Sequence, residues 1–117
     1  MENIAGKYVI VQTTGPEGFE AYYAGVAVGT SFHGVELLEC RRLWSWFAAR
    51  SIGIGAVAKY GLCKKRKSRV CPETAWAILK DWTIILPCTQ LAEISIRKQH
   101  DTKQDNVDSD QPVRINR

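Results

Sequence analysis

Residues 35–46, Val35-Glu36-Leu37-Leu38-Glu39-Cys40-Arg41-Arg42-Leu43-Trp44-Ser45-Trp46, decide the fold. Their valine, leucine and tryptophan content suits an extended backbone packed on a pleated surface. Side chains alternate across a strand, so Leu37, Glu39, Arg41 and Leu43 share one face. Leu38, Cys40, Arg42, Trp44 and Trp46 fall on the other. Neither face is purely apolar, which places the arginines near an edge or a mouth rather than under a sealed core. Upstream, residues 7–13 (KYVIVQT) read as a strand stopped by the turn signal Gly15-Pro16. Residues 20–28 (EAYYAGVAV) read as a second strand between Gly18 and Gly29, and Gly25 inside it marks a bulge or a close backbone approach.

Downstream, residues 48–60 read as a helix with Gly61 at its C-cap, Ser51 capping its start, and Ile54, Val57 and Ala58 on one face. Gly53 and Gly55 each cost such a helix about 1 kcal/mol relative to alanine, which weakens its first turns. A solvated basic loop follows at 63–69. Two strands come next, 69–79 and 82–88, parted at Lys80-Asp81. Thr89 caps a last helix through about Gln99, with Leu91 and Ile94 turned inward. The expectation is an α+β fold. It is a small, mostly antiparallel β-sheet or partly closed barrel of about five strands, with one central and one C-terminal helix.

A chain of 117 residues allows one domain and little more. Its 45% hydrophobic content excludes a disordered chain, and four cysteines are too few for a disulfide-dense mini-protein. Residues 1–99 are the expected domain. Beyond them, 100–117 hold only Val107, Val113 and Ile115 as large apolar residues, among four Asp and three basic residues, and read as a disordered polar tail. The amino terminus lacks the basic start and the 7–15 apolar residues of a secretory signal. No apolar run reaches the roughly 20 residues of a membrane span. A cytoplasmic protein without a membrane partner is expected, its four cysteines free thiols. They form no close ligand pair, and His33 and His100 lie apart from them, so neither metal nor cofactor is expected. Cys63 stands out because Lys64, Lys65, Arg66 and Lys67 follow it and favour its thiolate.

The formal charge of +4 is unevenly placed. Between Glu39 and Glu73 lie nine basic residues and no acidic one. They are Arg41, Arg42, Arg50, Lys59, Lys64, Lys65, Arg66, Lys67 and Arg69. Arginine forks bind phosphate bidentately, and indole rings stack on bases. Arg41, Arg42, Trp44, Trp46 and Arg50 therefore form one candidate binding constellation, and Lys64, Lys65, Arg66, Lys67 and Arg69 a second, flexible one. Packing is the competing role for the tryptophans, with arginine stems covering them. Gly53-x-Gly55 lacks the third glycine and the acidic partner of a dinucleotide loop. The basic segment holds no carboxylate or histidine for acid–base work, so no enzyme is expected.

KYVIVQT, YYAGVAV, the Arg41-Arg42-Leu43-Trp44-x-Trp46 strand, a small-residue helix and the Ile85-Leu86-Pro87-Cys88-Thr89 ending resemble, in order, a family of small tailed-phage and prophage proteins. The resemblance spans about residues 7–97. This chain has Phe47-Ala48 where relatives place an Asp-Gly turn, its helix is richer in glycine, and the Lys64 to Lys67 run is its own. The resemblance implies a small α+β fold and an accessory role in the host bacterial cytoplasm, with no agreed activity. The expected function is host takeover or counter-defence through an anionic partner, either nucleic acid or a nucleotide immune signal. The alternatives are an inhibitor docking on a host defence protein and a structural homo-oligomer.

Overall fold

The computed structural model describes residues 3–109, and side chains only through residue 99. Six strands, β1 (Tyr8–Thr14), β2 (Glu20–Ser31), β3 (Gly34–Ser45), β4 (Arg69–Val70), β5 (Ala75–Leu79) and β6 (Trp82–Pro87), form one antiparallel sheet. Helix α1 (Ile54–Tyr60) lies between β3 and β4, and α2 (Gln90–Ser109) ends the described chain. The strand order is β4-β3-β2-β1-β6, with β5 on the same side of β3 as β4. The expected α+β architecture is present, and the sheet is not closed.

A two-residue link makes the sheet curl. β5 pairs with β3 and β6 pairs with β1, so the strands joined by Lys80 and Asp81 lie on opposite edges. Laid flat, four strand spacings of about 4.8 Å would part those edges by roughly 19 Å. The link reaches only about 11 Å. The shared inner face is therefore concave. Val9, Val11, Ala27, Val35, Leu37 and Cys40 fill it, with Leu79 from β5 and Ile85 from β6 packed against them. The other face carries the helices over Tyr8, Ile10, Ala24, Leu43 and Val70, where Val57, Leu62 and Ile96 complete the core.

Several elements depart from the sequence expectation. The alternation along β3 breaks at Glu39, whose φ of 52° marks a bulge. Ala24 pairs with Arg41 but Val26 with Leu38, so β3 spends three residues where β2 spends two. Leu37 and Cys40 consequently share the inner face, while Arg41 and Leu43 lie on the helix side. Gly25 sits opposite this bulge, where a Cβ would come within 2.8 Å of the Leu38 carbonyl oxygen; close backbone approach is what that position requires. Residues 69–79 divide into β4 and β5 around Pro72, which has no N–H to give a ladder.

Helix α1 begins at Ile54 rather than 48, with Gly53 as an N-cap that supplies no side-chain bond, and Ser51 adopts φ 64° without capping it. Gly61 does terminate it. In α2 the inward residues are Ala92 and Ile96, whereas Leu91 and Ile94 are exposed. The Thr89 hydroxyl sets that phase. It accepts the Ala92 N–H at 3.1 Å and donates to the Lys59 carbonyl at 2.7 Å. Thr89→Ala removes the cap and the hydroxyl's bond to α1, keeping only the backbone bond from the Thr89 N–H to the Ala58 carbonyl, and is expected to cost about 1–2 kcal/mol, read as a lower urea midpoint at unchanged slope. The helical backbone continues ten residues past Gln99, through Ser109, while residues 110–117 of the expected tail lie outside the described residues.

Candidate functional site

The basic segment occupies the last turns of β3, α1 and the loop between α1 and β4. Backbone hydrogen bonds shape it. The Ala49 N–H donates to the Gly61 carbonyl at 2.9 Å and the Cys63 N–H to the Phe47 carbonyl at 2.7 Å, so the chain after α1 runs back along the end of β3. The Leu62 N–H donates to Ser95 Oγ at 2.8 Å, tying the loop start to α2. At the far end the buried Ser68 accepts the Phe47 N–H on its hydroxyl, at 3.0 Å, and a Gln99 amide N–H on its carbonyl, at 3.2 Å. Residues 64–67 thus form a short exposed loop pinned at both ends.

Four exposed or half-exposed aromatic rings carry cations here. The Arg42 guanidinium lies 3.7 Å from the centre of the Trp44 ring and 6.0 Å from that of Tyr23. Arg66 lies 3.7 Å over Phe47. Arg50 and Lys59 approach Tyr60 at 5.1 and 5.3 Å. Such contacts hold a cation flat against a ring for about 0.5–1 kcal/mol at an exposed site. Trp44 is 56% exposed, so its indole is not a core residue.

Two of the sequence candidates belong elsewhere. Trp46 packs edge-on against Tyr22, with ring centres 5.4 Å apart, at the margin of the helix-side core. Arg41 is 6% exposed. Among the described residues its Nε and Nη1 have no hydrogen-bond partner, and the buried Tyr8 hydroxyl beside it has none either. Burial pushes the Tyr8 phenol up to about 12, against the opposing fields of Arg41 and Arg97. Arg97 bonds Glu39 at 2.8 Å and Glu93 at 3.1 Å, and the first of these bonds holds the Glu39 carboxyl below its ordinary value. Arg41 therefore belongs to a buried polar cluster beneath α2, not to an accessible surface.

The basic loop divides between two surfaces. Arg66 leans on Phe47, next to Arg42 and Trp44 in sequence, and Lys67 and Arg69 are exposed, with Arg69 paired to Ser45 through the backbone. Lys64 and Lys65 instead line a groove against α2. Cys63 lies in that groove. Its thiol is held below its ordinary value chiefly by the backbone N–H groups of Arg66 and Lys65, more than by their side-chain charges. Among the described residues no group of three His, Cys, Asp or Glu could hold a metal ion. Nor is any helix among them long and apolar enough to cross a membrane.

Residues 6–96 match a family described as a domain of unknown function, DUF6948, which takes in β1 through the first two turns of α2. The chain belongs to the DUF6948 family. The match covers every residue of the aromatic and basic constellation, from Tyr23 to Arg69, so these side chains sit on the family's fold rather than on an appendage. No curated protein and no solved structure matches the chain. Phe47 and Tyr60 were missed as partners of the cations, although each stands within a few residues of a basic side chain in the sequence.

Proposed function

We propose that this DUF6948 protein is a non-enzymatic accessory factor of a phage or prophage. It acts in the host bacterial cytoplasm, in takeover or counter-defence, by binding single-stranded nucleic acid. The observation that carries this reading is the exposed Trp44 ring with the Arg42 guanidinium stacked 3.7 Å from its centre. Arg66 on Phe47 repeats the pairing within the same acid-free segment. A ring that stacks a base and a guanidinium that meets the adjoining phosphate bind a strand without reading its sequence. Lys67 and Arg69 extend the cationic track. Arg42 and Arg50, which a small nucleotide signal would need on one phosphate group, rest on different aromatics, Trp44 and Tyr60. An extended polyanion fits that spacing better.

The test is fluorescence anisotropy with labelled 20-nucleotide DNA and RNA strands over a salt series. Affinity is expected to fall steeply with salt, and Trp44→Ala to weaken binding about 5- to 100-fold, the worth of one stacked base. Replacing Arg66, Lys67 and Arg69 together by alanine is expected to flatten the salt slope. Absence of binding at low salt, or a Trp44→Ala variant that binds like the wild type, sinks the proposal. A thermal shift with one nucleotide from a broad panel would favour nucleotide capture instead.

A further inference from the structure

Helix α2 has a second face that the core does not use. Leu91, Ile94, Ser95 and Lys98 stand at i, i+3, i+4 and i+7, one stripe along the helix. Leu91 is 60% exposed and Ile94 55%, although both are large and aliphatic. Facing them is the chain leaving α1. A cavity of about 350 Å³ lies between Leu62, Lys64 and this stripe. A second, of about 430 Å³, shares Leu62, Lys64, Leu91 and Ser95 and continues to Tyr60, Cys63 and Lys65. Together they make a groove with a floor of Leu62, Leu91 and Ile94 and a rim of Lys64 and Lys65. Among the described residues no acidic side chain lines either part.

We infer that this groove docks an amphipathic, acidic helix of a partner protein. Three features of the groove specify that occupant. The floor follows helical spacing, so the apolar side chains that best fit it repeat at i, i+3 or i+4 and i+7 on a helix laid along α2. From Leu91 to Lys98 the stripe is about 10 Å long, which is two turns of such a helix. The Lys64 and Lys65 ammonium groups border the apolar floor, so carboxylates at the edge of the incoming apolar face meet opposite charge, while a basic helix is repelled. A nucleic acid strand has no use for an aliphatic floor, and the rings that would stack its bases, Trp44 and Phe47, are not among the groove's lining residues. The protein then has two separate surfaces, one for a polyanionic strand and one for an acidic helix.

Cys63 supplies a reporter. Its thiol lines the groove and is biased toward thiolate, so an occupant slows its alkylation. The probe is a synthetic 14-residue helical peptide with leucines at i, i+3 and i+7 and glutamates flanking them, compared with a scrambled peptide of the same composition. On the full chain the helical peptide is expected to bind saturably and to slow iodoacetamide modification of Cys63, followed by mass spectrometry. Leu91→Asp and Ile94→Asp alter exposed side chains, so the fold is expected to persist. Each is expected to weaken the peptide about tenfold or more, as loss of a central interface anchor does. Lys64→Glu with Lys65→Glu is expected to do the same and to remove the salt dependence.

Equal binding of the scrambled peptide, no binding of either, or unchanged affinity in the Leu91 and Ile94 variants overturns the inference. So does Cys63 protection by laurate or by a 20-nucleotide strand in place of the peptide. Self-association of the wild type that Leu91→Asp abolishes would assign the groove to a second copy and overturn it as well. Oligonucleotide binding by the Leu91 and Ile94 variants is expected to equal that of the wild type. Failure of the groove assignment is thereby distinguishable from failure of the nucleic-acid reading.

Discussion

Gly34→Ala is expected to destabilise the protein by about 3 kcal/mol or more, enough to leave a large unfolded fraction in a domain of ordinary stability. Gly34 opens β3 at the foot of the β2–β3 turn and is fully buried, with φ at 134°. That conformation alone costs an L residue about 1–3 kcal/mol. Space is the larger obstacle. A Cβ here would collide with the Leu79 carbonyl oxygen and stand 2.8 Å from its carbonyl carbon. Both are backbone atoms at the end of β5, so no side chain can rotate away, and relief requires moving the Lys80-Asp81 link that holds the curled sheet edges together. Gly55→Ala is the matched control. Its Cβ would meet nothing within 4 Å, and it lies inside α1. It is expected to stabilise the protein by about 0.5–1 kcal/mol. Urea denaturation of both variants checks the pair. A Gly34→Ala midpoint equal to the wild type would refute the contact between the β2–β3 turn and β5.

Four of the strands, β1, β2, β3 and β6, are legible in the sequence as β-branched or aromatic runs between turn residues, while the division of 69–79 into β4 and β5 is not. Nor is the curl. Lys80 and Asp81 read as a break between two strands, and nothing local says that those strands pair with β3 and β1 rather than with each other. That choice comes from the Val9, Leu37, Leu79 and Ile85 side chains meeting on one concave face, a sum of distant contacts. The bulge at Glu39 is similarly silent. One inserted residue leaves composition untouched yet moves every later side chain across the sheet. It puts Cys40 on the inner face with Leu37 and buries Arg41 on the helix side.

The phase of α2 misleads for a different reason. Leu91 and Ile94 are larger than Ala92, so hydrophobicity alone turns them inward. The Thr89 cap and the bond from the Leu62 N–H to Ser95 Oγ rotate the helix so that Ala92 and Ile96 face the core. The candidate site shows the same division. The acid-free segment was visible from charge alone, whereas the division of its cations between the Trp44 and Phe47 rings and the α2 groove depends on the pinning of the loop by Ser68 and Ser95.

Alkaline pH is expected to unfold the protein cooperatively between about pH 10 and 12, through two buried protons and a half-buried one. Burial pushes the Cys88 thiol up to about 12, with Glu93 adding to the effect. Burial and the neighbouring Cys71 raise Cys40 to about 11. Tyr8 stands at about 12, likewise through burial. In the unfolded chain these groups ionise at their ordinary values, 9.0 for the thiols and 10.0 for the phenol. Folded pKa values above unfolded ones mean stability that is complete below pH 9 and lost as the pH rises. Each group removes about 1.4 kcal/mol per pH unit inside its window. All three windows overlap between pH 10 and 11, so the combined slope there is about 4 kcal/mol per unit. Urea unfolding at pH 8, 9, 10 and 11 measures it. In the Cys40→Ala, Cys88→Ala double variant the slope is expected to fall to about the single proton of Tyr8. Comparing slopes rather than midpoints separates this from the packing the thiols lose. Stability that stays flat from pH 9 to 11 would contradict the raised values of all three. Cys63 behaves in the opposite sense, because its thiol is lowered by the N–H groups of Arg66 and Lys65. Alkylation at pH 7.5 should therefore mark Cys63 well before the buried Cys40 and the half-buried Cys88, whose thiols are raised.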